Sequence, residues 1–373
     1  MRLGILGGTY LASLLARTAA KFGIEALVYD PDPQAVARRV VQTFICAEWD
    51  DEQALRRLAE SCDLLTMGDA SVPLSALSRL EALGAKLAPD YSVLETALDK
   101  LALKRKLDAK LEVGRFRKVS VPTDVLDAAQ EFGFPVWLKA RRGGVDGRAS
   151  LQIKRAADIQ GALDVLQPYG ELMVEAHIAY QKELSLILVR GATGDMRAYP
   201  VVEVVRRDGM CHTVLCPAGV DEATAIRATE SARDAVTLLG GVGAFVVRLY
   251  ELEFNEVVVA DVAPCAHESA LYSVEGMITS YFENHLRAVL GLPLGDAAQI
   301  APATASISMI SERAGVPNPD TLREGLQTEG VHFHLYGVPS LRVGLRAGHV
   351  NILGYSTDGA EKVGLLCLSR VHL

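Results

Sequence analysis

Across residues 1–98, short apolar runs alternate with stretches whose apolar positions recur at helical spacing. Arg2–Leu6, Glu25–Tyr29 and Leu64–Met67 read as buried strands, and Leu11–Phe22 and Asp51–Ser61 as helices. Strands alternating with helices imply a parallel sheet covered on both faces. Beyond this region the pattern becomes mixed. A polar, lysine-rich helix is expected between Leu98 and Leu111, the end of another over Ala128–Phe132, and a strand over Pro135–Ala140. Ala156–Leu166 reads as a helix, and Glu171–Ala176, Glu183–Val189 and Met196–Val205 as strands. Glu222–Leu239 is expected to be helical, with Asp221 as its N-cap and Gly240-Gly241 as its stop. Two adjacent strands, Gly243–Tyr250 and Glu256–Val262, follow. Met277–Leu290 has the spacing of an amphipathic helix ended by Gly291, and Ala303–Leu373 reads as short strands and turns. No internal repeat or low-complexity linker interrupts the chain.

The bulk numbers narrow the function classes. A chain of 373 residues exceeds one ordinary core, so two or three domains are expected. Half of the residues are hydrophobic (50%) and 23% are charged, the balance of a globular protein without a membrane span. A net charge of −8 supplies no basic excess to displace counterions from a nucleic acid. The six scattered cysteines form no disulfide framework and suit a reduced, cytosolic compartment. Cys211, His212 and Cys216 could be half a metal site but lack a second ligand pair, so they read as ordinary strand and loop residues. Met1–Leu6 runs straight into a strand, and no signal peptide is expected ahead of it.

Two turns carry candidate chemistry. Gly7-Gly8-Thr9-Tyr10-Leu11 follows the first strand, but it lacks the third glycine of a dinucleotide fingerprint, and Ala12 stands where close helix packing would want one. Asp30, at the end of the second strand, could hold a ribose hydroxyl or could belong to a capping turn over Asp30–Pro33. Hydride transfer is therefore set aside. The second turn, Lys139–Ser150, reads K-A-R-R-G-G-V-D-G-R-A-S and follows an apolar strand. Its glycines let backbone N–H groups approach phosphate oxygens, and its cations suit their charge.

With that loop and the helix–strand run around it, the chain resembles ATP-grasp proteins, more narrowly the PurK type of carboxyaminoimidazole ribonucleotide synthetases. The resemblance spans essentially the whole chain. It is carried by L-G-I-L-G-G at Leu3–Gly8, Y-D-P-D-P at Tyr29–Pro33, R-R-G-G-x-D-G-R at Arg141–Arg148, K-E-L-S at Lys182–Ser185 and R-D-G at Arg207–Gly209. A-P-x-x-H at Ala263–His267, the long run Glu275–Leu294 and G-H-V-N at Gly348–Asn351 complete it. It implies a Rossmann-like domain over residues 1–98, an ATP-grasp domain of two subdomains over 99–295 and a small β-rich domain over 296–373. It further implies ATP and magnesium as cofactors and bicarbonate and 5-aminoimidazole ribonucleotide as small-molecule partners, in a cytoplasmic homodimer. The reaction would be an ATP-dependent carboxylation in purine biosynthesis.

By the same resemblance, Lys139 meets the phosphates, Lys100 stands in for an arginine beside the nucleotide, and Glu175 marks the hinge that receives adenine through its backbone. Glu183 accepts ribose hydroxyls, Gly143, Gly144 and Gly147 shape the loop, and Asp146, Arg148 and His267 serve catalysis. Magnesium would lie between two glutamate positions that are here Arg248 and Asp261, with Ala260 in place of asparagine. A lone shortened carboxylate is a poor magnesium ligand set. Arg248 is expected either to pair with Asp261 or to touch the phosphates itself. At the ribonucleotide end, Thr9–Ser13 replace a polar turn, Gly68 and Ala70 replace glutamates, and Val145 replaces a tyrosine. Val338 and Leu345 replace cations there, with Arg342 and Arg346 close by, and Cys265, Glu268 and Leu271 replace an arginine, an asparagine and a histidine. Three outcomes remain open: a working ligase of this type, a ligase for a different small substrate, or a non-catalytic relative that keeps the fold, with or without nucleotide binding.

Overall fold

The computed structural model describes residues 1–144, 149–316 and 319–371. The first unit runs β1 (Arg2–Leu6), α1 (Tyr10–Lys21), β2 (Glu25–Tyr29), β3 (Thr43–Ile45), α2 (Glu52–Ser61), β4 (Leu64–Met67), α3 (Leu74–Ala82) and β5 (Leu87–Ala88). Its strands pair in the order β3-β2-β1-β4-β5, all in parallel. Sequential strands lie on opposite sides of β1, so a crevice opens beyond the carboxyl ends of β1 and β4, at Gly7–Thr9 and Asp69. The Asp30 carboxylate accepts the Gly8 N–H at 2.6 Å and the Asp32 N–H at 2.7 Å, which is the turn-capping role.

Next come α4 (Tyr91–Ala97), α5 (Lys100–Leu107), β6 (Phe116–Val119), α6 (Thr123–Phe132), β7 (Val136–Ala140), β8 (Ser150–Ile153), α7 (Ile159–Leu166) and β9 (Leu172–Ala176). Their strands form a second sheet ordered β6-β9-β7-β8. The chain continues with β10 (Lys182–Arg190), β11 (Met196–Ala198), β12 (Val202–Arg207), β13 (Met210–Cys216), α8 (Glu222–Leu239), β14 (Gly243–Glu251) and β15 (Val257–Ala263). After α9 (Ser273–Gly276) and α10 (Tyr281–Val289) come β16 (Ala303–Ile310), β17 (Val331–Leu335), β18 (Arg346–Gly354) and α11 (Thr357–Leu368). The third sheet is ordered β15-β14-β10-β12-β13-β16-β18-β17, with β11 beside β10. The C-terminal strands thus continue the large sheet through antiparallel pairing of β13 with β16.

Asp221 caps α8 as expected, its carboxylate accepting the Thr224 N–H at 2.7 Å. Three expectations need correction. The Met196–Val205 strand is two strands, broken between Ala198 and Val202. The Met277–Leu290 helix begins only at Tyr281, capped by Ser280, because Met277 pairs with Gln299 in an isolated bridge. The final stretch contains a full helix, α11, whose Ser356 hydroxyl accepts the Gly359 N–H at 3.2 Å. One core joins α1 of the first unit to α10 and to β10, β12, β13 and β14, so the crevice of the first sheet is fixed against the large sheet. Among the described residues, no helix is long and apolar enough to cross a membrane.

Candidate functional site

The second and third sheets carry the nucleotide residues singled out from the sequence. Lys139 on β7 and Glu175 on β9 come from the small sheet, Glu183 on β10, Arg248 on β14 and Asp261 on β15 from the large one. Lys139 Nζ donates to Glu175 Oε2 at 2.6 Å. Burial alone would raise the Glu175 carboxyl, but Lys139, followed by Lys104, holds it down at about 2. Lys100 Nζ donates to the carbonyls of Ala140 at 3.2 Å and Gly143 at 3.0 Å, tying α5 to the start of the glycine loop. Its ammonium is pushed below the usual lysine range by burial. Gly144, at φ +70°, has no room for a side chain, since a Cβ would stand 2.1 Å from that of Ala149. Asp146, Gly147 and Arg148, with Val145, lie outside the described residues.

The other arginines of this loop do not face a phosphate. Arg141 pairs with Asp99 at 2.6 Å and with Glu171 at 2.7 Å, and Arg142 pairs with Asp99 at 2.8 Å. Asp99, 2% exposed, also caps α5 through the N–H groups of Leu101 and Ala102. These cations anchor the loop to the helix, which corrects the reading that gave their charge to a polyphosphate.

Glu183 is only 4% exposed, and Arg206 on β12 holds it at both oxygens, Nε shared between the two at 2.8 and 3.0 Å and Nη2 donating to Oε1 at 2.7 Å. Nothing in the sequence marked Arg206. A carboxylate offers about four lone-pair sites, so ribose hydroxyls can still reach it beside the guanidinium. Tyr180 stacks on Tyr250 with ring centroids 4.3 Å apart and an interplanar angle of 6°, and Tyr250 lies opposite Glu183 in register. This aromatic pair at the same edge was also missed.

At the position expected from the sequence to hold magnesium, Arg248 and Asp261 are direct cross-strand partners. The ladder then slips by one residue, so Ala260 is the extra residue of a β-bulge. Arg248 Nη2 lies 3.4 Å from Asp261 Oδ2, which is the pairing outcome of the two that were open. The side chains are 29% and 40% exposed, so this long ion pair contributes under about 1 kcal/mol. Among the described residues, no group of three His, Cys, Asp or Glu side chains could hold a metal ion, including the Cys211, His212 and Cys216 trio. At the expected magnesium position a guanidinium faces a lone carboxylate, so these strands do not supply the pair of carboxylates that magnesium between phosphates would take. The Arg248 guanidinium stays charged, because Tyr250, Asp261, Glu183 and Glu175 outweigh its burial.

His267 stands beside this pair. Its Nδ1 accepts the Ser269 N–H at 3.1 Å, which leaves the proton of the neutral ring on Nε2. Burial lowers its pKa against the opposing field of Glu268, so the neutral ring is favoured, with its Nε2 lying 3.8 Å from Glu268 Oε2. The ribonucleotide-end residues also converge, but on one another. Arg346 pairs with Glu268 at 2.9 Å and reaches the Tyr10 hydroxyl at 3.3 Å, while Tyr10 stacks on Tyr336 at 3.7 Å and 4°.

Residues 1–98 match the family described as ribonucleotide synthetase preATP-grasp domain, and residues 105–282 match the ATP-grasp domain. The N5-carboxyaminoimidazole ribonucleotide synthase of Mycobacterium tuberculosis is 32% identical over 360 residues, spanning 94% of this chain and 83% of that protein. The chain belongs to the N5-carboxyaminoimidazole ribonucleotide synthase family. A solved synthetase from Thermus thermophilus superposes with a TM-score of 0.88 at 33% identity, covering 99% of this chain and 98% of that one. The Aspergillus clavatus synthase, solved with ADP and 5-aminoimidazole ribonucleotide, gives 0.89 at 26% identity, covering 99% and 98%. This member keeps the family frame while a guanidinium stands where the sequence led us to expect a magnesium ligand.

The lysine–glutamate pair sets a pH dependence. A carboxyl held at about 2 when folded and near 4.5 when unfolded stabilises the fold above pH 4.5. The contribution disappears as pH falls through about 2, because the unfolded chain takes up the proton first. Melting temperatures followed from pH 5 to pH 2 are expected to fall less steeply in Glu175→Gln than in the wild type. Parallel curves would remove this assignment.

Proposed function

We propose that this protein binds an adenine nucleotide in the cleft between its two antiparallel sheets, and that Lys139 and Arg248 meet the polyphosphate in place of magnesium. The observation that carries the reading is the cross-strand pairing of Arg248 with Asp261 at 3.4 Å. A loose, half-hydrated pair opens at little cost, and the freed guanidinium can then take phosphate oxygens in its fork. The surroundings favour an anion. Lys100, Lys104, Lys139, Arg206 and Arg248 outnumber the carboxylates of Glu175, Glu183 and Asp261 with which they interact. Glu183 beside the Tyr180–Tyr250 stack supports ribose and base at the other end.

A second reading is that the chain carboxylates 5-aminoimidazole ribonucleotide with ATP and bicarbonate, in line with relatives named phosphoribosylaminoimidazole carboxylase and N5-carboxyaminoimidazole ribonucleotide synthase. The Lys139–Glu175 pair and the nearby Nε2–H of His267 favour it, because a developing carboxyphosphate needs cations and donors. The Tyr10–Tyr336 stack and the Arg346–Glu268 pair oppose it, since they satisfy one another where the ribonucleotide end was expected. Thermal melting with ATP and magnesium, separately and together, tests the first reading. ATP at a hundredfold excess over its Kd is expected to add about 2.7 kcal/mol, raising the melting temperature equally with and without magnesium. A shift that needs the metal, or no shift at all, would overturn it. Phosphate release with aminoimidazole ribonucleotide and bicarbonate is expected to stay at background.

A further inference from the structure

Trp137 lies on β7 two residues before Lys139, and the two side chains share one face of the small sheet. The alternate residues Val136, Leu138 and Ala140 point the other way, into the core that α6 and α7 complete. Trp137 stands directly opposite Glu175 on β9, and Glu175 directly opposite Phe116 on β6, so the three form one row across the sheet. Phe116 packs against the core that holds β10, β14 and α8, and Glu175 is the partner of Lys139. The row therefore looks into the nucleotide cleft.

The indole in this row is unclaimed. Trp137 is partly buried, yet it belongs to none of the hydrophobic cores. Its Nε1–H donates to His177 Nδ1 at 3.3 Å, which ties down the edge of the ring. Among the described residues, no aromatic ring or guanidinium covers its faces. The charged side chains beside it, Lys139 and Glu175, satisfy each other and do not compete for the ring. An indole with an open π face in a cleft is a platform for another flat ring. Two residues along a strand span about 6.6 Å, so a ligand whose phosphate meets Lys139 can lay its base on Trp137 with the sugar between them.

We infer that Trp137 is the wall on which the base of the nucleotide stacks, and that it gives the cleft a preference for purine over pyrimidine. Stacking on an aromatic side chain needs only a π face, and the two fused rings of a purine cover more of the indole than one ring does. This role rests on a nucleotide occupying the cleft as proposed above.

Tryptophan fluorescence in a Trp49→Phe background tests it, because the chain has two tryptophans and Trp49 lies beside Tyr29 in the first unit. ATP is expected to quench the remaining emission, and inorganic tripolyphosphate is not. ATP is expected to bind about tenfold more tightly than UTP; Trp137→Leu should narrow that ratio to within about twofold, while Trp137→Phe keeps most of it. Both variants are expected to melt close to the wild type without ligand, since the side chain lies outside the cores. If ATP leaves the wild-type melting temperature unmoved, the nucleotide reading falls and the stacking wall falls with it. A wild-type shift without quenching would overturn the wall alone. So would quenching by tripolyphosphate, equal binding of ATP and UTP, or an unchanged ratio in Trp137→Leu.

Discussion

Changing Arg248→Glu, Ala260→Asn and Asp261→Glu together is expected to make nucleotide binding magnesium-dependent. In the wild type the ratio of ATP affinity with and without the metal should be near one. In the triple variant it should exceed about tenfold, with the metal-free affinity itself reduced. The expectation follows from the register. Residues 248 and 261 face each other directly, and the bulge at Ala260 turns an additional position toward the same space. Magnesium needs several oxygens close to octahedral positions, and a glutamate on each strand with an asparagine between them provides such oxygens. Without the ion, the two new carboxylates repel the triphosphate that Arg248 had attracted. An affinity ratio that stays near one in the variant would mean that this end of the cleft does not meet phosphate at all. The proposed reading would then fail at its central point.

Much of this frame was legible because backbone pattern carries fold. The alternation over residues 1–98 marked β1, β2 and β4 to the residue, and Asp221 marked the start of α8. Helix α11 escaped because Gly359 and Gly364 interrupt its pattern and the Ser356 cap is a local signal easily read as a turn. Gly364 is there for packing, since a Cβ would meet Ile352 at 2.5 Å and Ile307 at 2.7 Å. At the site, positions were legible and partners were not. Lys139, Glu183, Arg248 and Asp261 could be placed on strands by motif alone. That Arg206 would occupy both oxygens of Glu183 depends on how β12 lies beside β10, where Glu203 pairs with Leu184. That Arg141 and Arg142 would turn to Asp99 depends on α5 docking under the loop. Composition shows that a loop is basic; only the tertiary arrangement shows where its charge goes.

Arg206→Ala is expected to destabilise the protein by about 3 kcal/mol or more, the order found when one partner of a buried pair is removed. Glu183 would remain almost sealed from water, its two oxygens deprived of the Nε and Nη2 donors of Arg206. Arg206 also ties down the carbonyl of Gly209 at 2.9 Å, in the turn that joins β12 to β13. Its removal therefore loosens the hairpin as well as orphaning a charge. Adding Glu183→Gln to that variant removes the stranded charge, so the double variant should melt above Arg206→Ala although it has lost more native atoms. Such recovery separates a charge penalty from simple loss of packing, which a second substitution would deepen. If Arg206→Ala melts with the wild type, then Glu183 is not held as a buried anion. The Arg206–Glu183 pair would then be a solvated contact, and Glu183 would be free to serve ribose alone.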